Sequence, residues 1–219
     1  MKTQSLLKIW LLLTLEILAM TSLIRSQQQE NKLLQQKIPE FQVADAPISL
    51  VLQRLARSSN VPVGVELLPE TAGQRKTITV RAKDATVRSI LDLVLEQDPQ
   101  YLWQPVDPVI NIFPKNAKDP LLETIVGRFK VKNMNKEEAI RVLENSIEVK
   151  KILAKSSLRD RTLKSLPGDS ENNLTRFSLD IKNASVRSIL NSIMVKSAAK
   201  SWVFFRYGAK NDSFSLLMR

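Results

Sequence analysis

The sequence contains no cysteine and no histidine, and only five of its 219 residues are glycine. The first two absences exclude thiol nucleophiles, imidazole bases, the commonest zinc ligands and disulfide bonds. None of the glycines falls in a motif that cradles phosphate groups. We therefore expect a non-enzymatic protein that needs no cofactor or metal, and the sequence assigns no catalytic, metal-binding or other binding residues.

The chain is strongly basic, with 33 Lys and Arg residues against 22 Asp and Glu residues and a formal net charge of +11. Such a charge favours contact with nucleic acid, anionic polymers or membrane surfaces. The basic residues are scattered, and the densest group is Arg159, Arg161 and Lys164 in a polar stretch. Scattered charge is typical of a solvated surface. Binding of nucleic acid or an anionic polymer is therefore the alternative function rather than the main prediction.

The N-terminus resembles an export signal. Lys2 and Lys8 precede an apolar run at 9–24 that contains Glu16, and a basic start followed by an apolar run is typical of a secretory signal. The run has 16 residues, whereas a membrane-spanning helix needs about 20. We therefore predict a signal peptide at 1–26, with an uncleaved membrane anchor through 9–24 as the alternative. A polar, glutamine-rich linker is predicted at 27–40.

A nine-residue phrase occurs twice in the chain. Residues 83–91 read KDATVRSIL and residues 182–190 read KNASVRSIL, so seven of nine positions are identical. Apolar and polar residues alternate just before each copy, at 77–82 and 176–181, which predicts a half-buried strand. The two copies therefore predict the same strand-to-helix junction.

The phrase itself predicts the start of an amphipathic helix. Thr86 and Ser185 carry the short hydroxyl groups that cap helix N-termini, and Asp84 and Asn183 are the alternative caps. The apolar residues that follow recur at helical spacing: Val87, Ile90, Leu91, Val94 and Leu95 in one copy, and Val186, Ile189, Leu190, Ile193 and Met194 in the other.

The similarity continues beyond each helix. Trp103 and Trp202 are also 99 residues apart, and each begins a predicted β-hairpin, whose second strands are at 109–113 and 213–217. Their matched positions favour a shared packing role. Arg88 and Arg187 are matched in the same way, and a solvated helix face is the expected place for both.

The upstream halves of the two copies align with a different offset. Residues 41–43 match 129–131, which are 88 positions later, so the second copy carries 11 extra residues. A polar insert at about 155–173 accounts for them. A strand is predicted at 61–67, whereas its counterpart near 149–153 fits either a strand or an extended helix. Asn135 has the chemistry of an N-cap ahead of Glu137 and Glu138.

These patterns predict an α+β fold of two tandem modules. Each module reads strand–helix–strand–strand–helix–strand–strand, with two helices packed on small sheets. We place the first module at 41–114, a linker at 115–122 and the second module at 123–219.

The stretches FQVADAPISLVLQRLARSSNVPVGVE and KTITVRAKDATVRSILDLVLEQDPQYLWQPVDPVINIFP resemble the short N-terminal domain shared by secretins and TonB-dependent transducers. The second module resembles it more distantly. The resemblance implies a periplasmic or secreted protein that contacts another envelope protein, in secretion, transport or signalling assemblies. One way to make that contact is to add a strand at a sheet edge. The chain has no room for the pore or barrel of those families, so secretin or receptor function is not expected.

Overall fold

The structure is a computed structural model that describes residues 32–69, 76–106, 108–116, 118–155, 160–162, 175–207 and 213–219. The expected α+β class is confirmed. The predicted signal segment and most of the polar insert lie outside the described residues. Within these ranges, no helix combines the length and the apolar character needed to cross a bilayer.

The first module follows the expected order of strands and helices. A helical turn at 32–34 precedes the regular elements, which are β1 (Lys37–Pro47), α1 (Ile48–Ser59), β2 (Val63–Glu66), β3 (Thr77–Thr86), α2 (Val87–Gln97), β4 (Tyr101–Val106) and β5 (Val109–Pro114). β1 and β3 form a two-stranded antiparallel ladder. β5 pairs with β4 antiparallel and with β2 parallel.

The second module repeats this plan with one additional helix. Its elements are α3 (Pro120–Glu123), β6 (Ile125–Met134), α4 (Lys136–Glu144), α5 (Ile147–Lys155), β7 (Asp160–Thr162), β8 (Phe177–Ser185), α6 (Val186–Lys196), β9 (Ser201–Tyr207) and β10 (Ser213–Met218). The ambiguous segment near 149–153 is the helix α5. Strand β7, inside the expected insert, pairs in parallel with β10 as β2 does with β5.

The two modules share one sheet instead of each keeping its own. Six strands run in the order β4-β5-β2-β9-β10-β7. The seam, by which we mean the parallel pairing of β2 with β9, joins the modules. The sequence predicted small sheets within each module. It could not predict the shared sheet, because the alternation of apolar residues along a strand does not reveal which strand lies beside it.

The shared sheet separates two cores. Side chains alternate between its faces, so Val63, Val65 and Val203 enter the core of the first module. Trp202 and Phe204, together with the second module's helices, form the other core. Each core is closed on its far side by a two-stranded ladder, β1–β3 or β6–β8. Val203 of the second module thus lies in the first core, and Val109 of the first module lies in the second.

Both modules begin earlier than the sequence pattern suggested. Leu34 is 1% exposed in the first core, within the segment expected to be a linker, and Leu122 is equally buried in the second. The two residues are 88 positions apart, like the strands that follow them. The backbone N–H of the first residue of α2 donates to Gln36, and that of α6 donates to Thr124. The helical turn at 32–34 and the helix α3 are thus corresponding parts of the repeat.

The doubled phrase is the expected strand-to-helix junction. The hydroxyls of Thr86 and Ser185 accept hydrogen bonds from backbone N–H groups three residues later, which confirms them as the N-caps. The alternative caps, Asp84 and Asn183, instead adopt φ values of 48° and 50°. Asp and Asn tolerate this left-handed conformation better than most residues, which explains why one or the other occupies this position in both copies.

Gly64 provides a test of the seam. A Cβ atom there would lie 2.7 Å from the indole nitrogen of Trp202 and closer still to two ring carbons. Because Trp202 is fully buried, we expect Gly64→Ala to lower the free energy of unfolding by about 1–3 kcal/mol, as overpacking does. Urea denaturation measures this change. Gly127→Ala is the control, since a Cβ there meets only the side chain of Glu148 at 3.4 Å, and equal effects would contradict the account.

Candidate functional site

The same three side chains meet in both modules. In the first, Trp103 donates from Nε1 to Oδ1 of Asp92 at 3.1 Å, and the guanidinium of Arg88 lies 5.1 Å from the ring centroid. In the second, Trp202 donates to Asn191 at 2.8 Å and Arg187 lies 6.0 Å from the ring. Each set takes two residues one turn apart on a helix and one from the following strand. We call these two sets the Trp clusters. Of the three residues in each set, only the Arg lies within the doubled nine-residue phrase.

The two Trp clusters differ in their surroundings. Trp202 is buried at the seam, where its ring covers Gly64 of the first module. Trp103 is half-buried on β4, the last strand of the shared sheet. The expected packing role of the tryptophans is therefore clear at Trp202. The expectation of a solvated helix face is wrong for Arg187, which is 8% exposed.

Arg187 is at the centre of a buried ion cluster between the modules. It pairs with Glu66 of β2, and its Nε donates to Oε1 of Glu123 at 2.9 Å. Glu66 is 2% exposed and also accepts a hydrogen bond from the backbone N–H of Asp119. Asp119 in turn pairs with Arg206 of β9. The cluster therefore connects the first module, the segment 115–122 and the second module by ion pairs and hydrogen bonds.

The burial of Glu66 and its contact with Arg187 have opposite effects on the pKa of its carboxyl group. Burial raises the pKa of Glu66 above its ordinary value, while the hydrogen bond and the charge of Arg187 act in the opposite direction. Since water scarcely reaches the carboxylate and both of its oxygens accept hydrogen bonds, the group is suited to joining the modules. No pattern in the sequence identified Glu66, because its partner Arg187 is 121 residues away.

The outer edge of the shared sheet is formed by β4. The N–H of Lys115 donates to the carbonyl of Gln100, and ladder bonds alternate along an antiparallel pair. The backbone groups of Trp103 and Pro105 therefore point away from β5. Leu102 and Val106 are 43% and 41% exposed on this strand, and no strand pairs with its outer side in the ranges that the structure describes.

A mainly apolar cleft of about 370 Å³ lies beside the end of this edge. The tip of the β4–β5 hairpin forms one wall, with Val106 and Val109, and β8 and α6 form the other, with Leu179, Ile181 and Val195. The cleft and the edge together expose apolar surface on one side of the molecule.

A second cleft carries basic residues. Arg128, Lys130 and Arg141 line it, but Asp180 accepts two hydrogen bonds from Arg128 and lies 4.0 Å from Lys130. The hydrogen bond from Arg128 lowers the pKa of Asp180, so that carboxylate stays ionised and offsets the positive charge. The basic group expected near 159–164 lies mostly outside the described residues.

The described residues contain no cluster of three or more side chains suited to holding a metal ion. No family model matches the chain, and neither the curated proteins nor the solved structures include one that is significantly similar to it. The resemblance to the secretin and transducer domain therefore remains a prediction.

Arg187→Met tests the ion cluster. Removing the guanidinium leaves Glu66 buried without its partner, and breaking a buried pair in this way costs about 3–5 kcal/mol of folding free energy. Urea denaturation is the measurement. Arg128→Met is the matched control, since its pair with Asp180 is exposed and should leave the midpoint nearly unchanged. Equal losses in the two variants would refute a special role for the buried cluster.

Proposed function

We propose that the chain is an exported, non-enzymatic protein-interaction module of the bacterial cell envelope, with a role in secretion, transport or signalling assemblies. The observation that carries the proposal is the outer edge of β4, which no described strand covers and where backbone groups point outward and Leu102 and Val106 are exposed. An open edge of this kind is a template for an added strand. The basic start and apolar run at the N-terminus support export.

The pairing of the buried charged side chains is compatible with a binding role. The buried carboxylates and guanidiniums near the seam pair with one another, so they hold the two modules in a fixed arrangement. A rigid body that presents a sheet edge is suited to recognising an extended segment, because little conformational entropy is lost on the receptor side. The module would thus act by holding a partner rather than by chemistry.

The alternative is a binder of nucleic acid or an anionic polymer, which the net charge of +11 motivates. Among the described surfaces we relate only the second cleft to this function, and Asp180 offsets one of the three positive charges that line it. A steep loss of DNA affinity with rising salt is the signature of this function. Tight, strongly salt-dependent binding would favour it over the interaction module.

Site-specific photo-crosslinking tests the proposed function in the bacterium that carries the gene. We expect a photo-reactive amino acid at Leu102, on the β4 edge, to give a discrete protein adduct in the envelope fraction. The same amino acid at Leu50, which is 50% exposed on α1, is the matched control and should not give that adduct. Identical products from both positions, or recovery of the full-length chain in the cytosol, would overturn the proposal.

A further inference from the structure

We propose that the outer edge of β4 binds an extended segment of another protein in parallel, with a small residue against Trp103 and an acidic residue two positions later paired with Arg88. The inference rests on the proposed function and deepens it, because it specifies the docking site and the chemistry of the ligand. The seam inside the molecule is the model for this complex.

At the seam, β2 is already such a segment. It lies parallel to β9, with Gly64 opposite Trp202 and Glu66 opposite Phe204. Its backbone bonds include Val63 N–H to the carbonyl of Lys200 at 3.0 Å and Leu67 N–H to the carbonyl of Phe204 at 2.8 Å. The second module therefore receives a strand of the first along the edge of β9.

Two residues of β2 fit the second Trp cluster. Gly64 leaves room for the indole of Trp202, where any Cβ atom would collide with the ring. Glu66, two positions later on the same face of the strand, pairs with Arg187. The second Trp cluster thus contacts a small residue and, two positions later, an acid, while Val65 between them lies in the first core.

The edge of β4 presents the same receptor. β4 corresponds to β9, and the first Trp cluster places Arg88 over Trp103 as the second places Arg187 over Trp202. No described carboxylate forms an ion pair with Arg88, whereas Arg187 has two. The position of Glu123 is taken by the neutral Gln35 in the first module. Asp92 stands where the second cluster has Asn191, and its carboxylate accepts the hydrogen bond of Trp103. The first Trp cluster therefore has no acid in the places of Glu66 and Glu123, and an acidic ligand residue is the ion-pair partner that Arg88 lacks.

One substitution separates the two edges. Pro105 occupies the position of Phe204, and proline has no N–H to donate to an added strand. The carbonyls of Tyr101, Trp103 and Pro105 and the N–H of Trp103 remain available by the alternation of the ladder. Loss of one donor weakens pairing with an arbitrary strand, so recognition depends more strongly on Trp103 and Arg88. In each folded chain β2 is already held between β5 and β9, so the ligand comes from another protein.

Fluorescence anisotropy with a labelled peptide of residues 60–68, NVPVGVELL, tests the proposal on the full chain. We expect the peptide to bind. Glu66→Gln in the peptide should weaken binding by about tenfold, the ratio that one charge-assisted hydrogen bond supports, and Gly64→Val should also weaken it because the new side chain would collide with the indole. Arg88→Gln in the protein should weaken binding as much as Glu66→Gln in the peptide. Arg81→Gln, on the exposed face of β3, is the control and should have no effect.

A double-mutant cycle gives the sharpest result. If Arg88 pairs with the peptide's acid, Glu66→Gln in the peptide should have no further effect on binding to the Arg88→Gln protein. Effects that multiply independently would refute the pairing. Pro105→Ala should tighten binding, because it restores the missing donor, and unchanged or weaker binding would exclude strand addition at this edge.

The outcomes separate this inference from the function on which it rests. Absence of peptide binding, with adducts still formed from Leu102, would overturn the ligand class but not the interaction role. Self-association of the chain that Trp103→Leu abolishes, without peptide binding, would assign the edge to a second copy and would also overturn the inference. Circular dichroism of each variant establishes that it is folded.

Discussion

The parallel pairing of β2 with β9 is the interaction on which the rest of the structure depends. It turns two small sheets into one and places the two cores on opposite faces of it. Gly64 makes the pairing possible by leaving space for the ring of Trp202. The ion pair between Glu66 and Arg187 also connects the two strands' modules, and the guanidinium lies 5.7 Å from the ring of Phe113. A change at the seam therefore affects both modules, so they should unfold together.

The seam joins different edges of two similar modules. The edge of β2 in the first meets the edge of β9 in the second, and β9 corresponds to β4 rather than to β2. A head-to-tail contact of this type leaves β4 and β7 as the end strands of the described sheet. Where such contacts do not close into a ring, further copies can add at the ends and form a filament. At β4 the missing N–H of Pro105 weakens such extension. In the complex that we propose, the same proline favours selectivity, since side-chain recognition must compensate for the lost backbone bond.

Much of the fold was predictable because it depends on local chemistry. The strands around the doubled phrase and the N-caps Thr86, Ser185 and Asn135 all appear as expected. The structure adds that Asn135 and Glu138 form a reciprocal capping box. The segment that forms α5 was left open between a helix and a strand, and Leu34 was placed in a linker although it is buried. A short apolar segment fits either a helix or a strand, and a polar stretch conceals a single core residue.

The sequence by itself determined the two modules, the junction that each repeats and the matched Arg and Trp positions, because these follow from residue spacing along one chain. Only the tertiary structure decided that Arg187 is buried while Arg88 lies beside the outer edge of β4, and that Gly64 and Glu66 contact Trp202 and Arg187. The reason is physical: burial and charge pairing depend on which strand lies next to a given edge, and that neighbour is about 140 residues away along the chain at the seam.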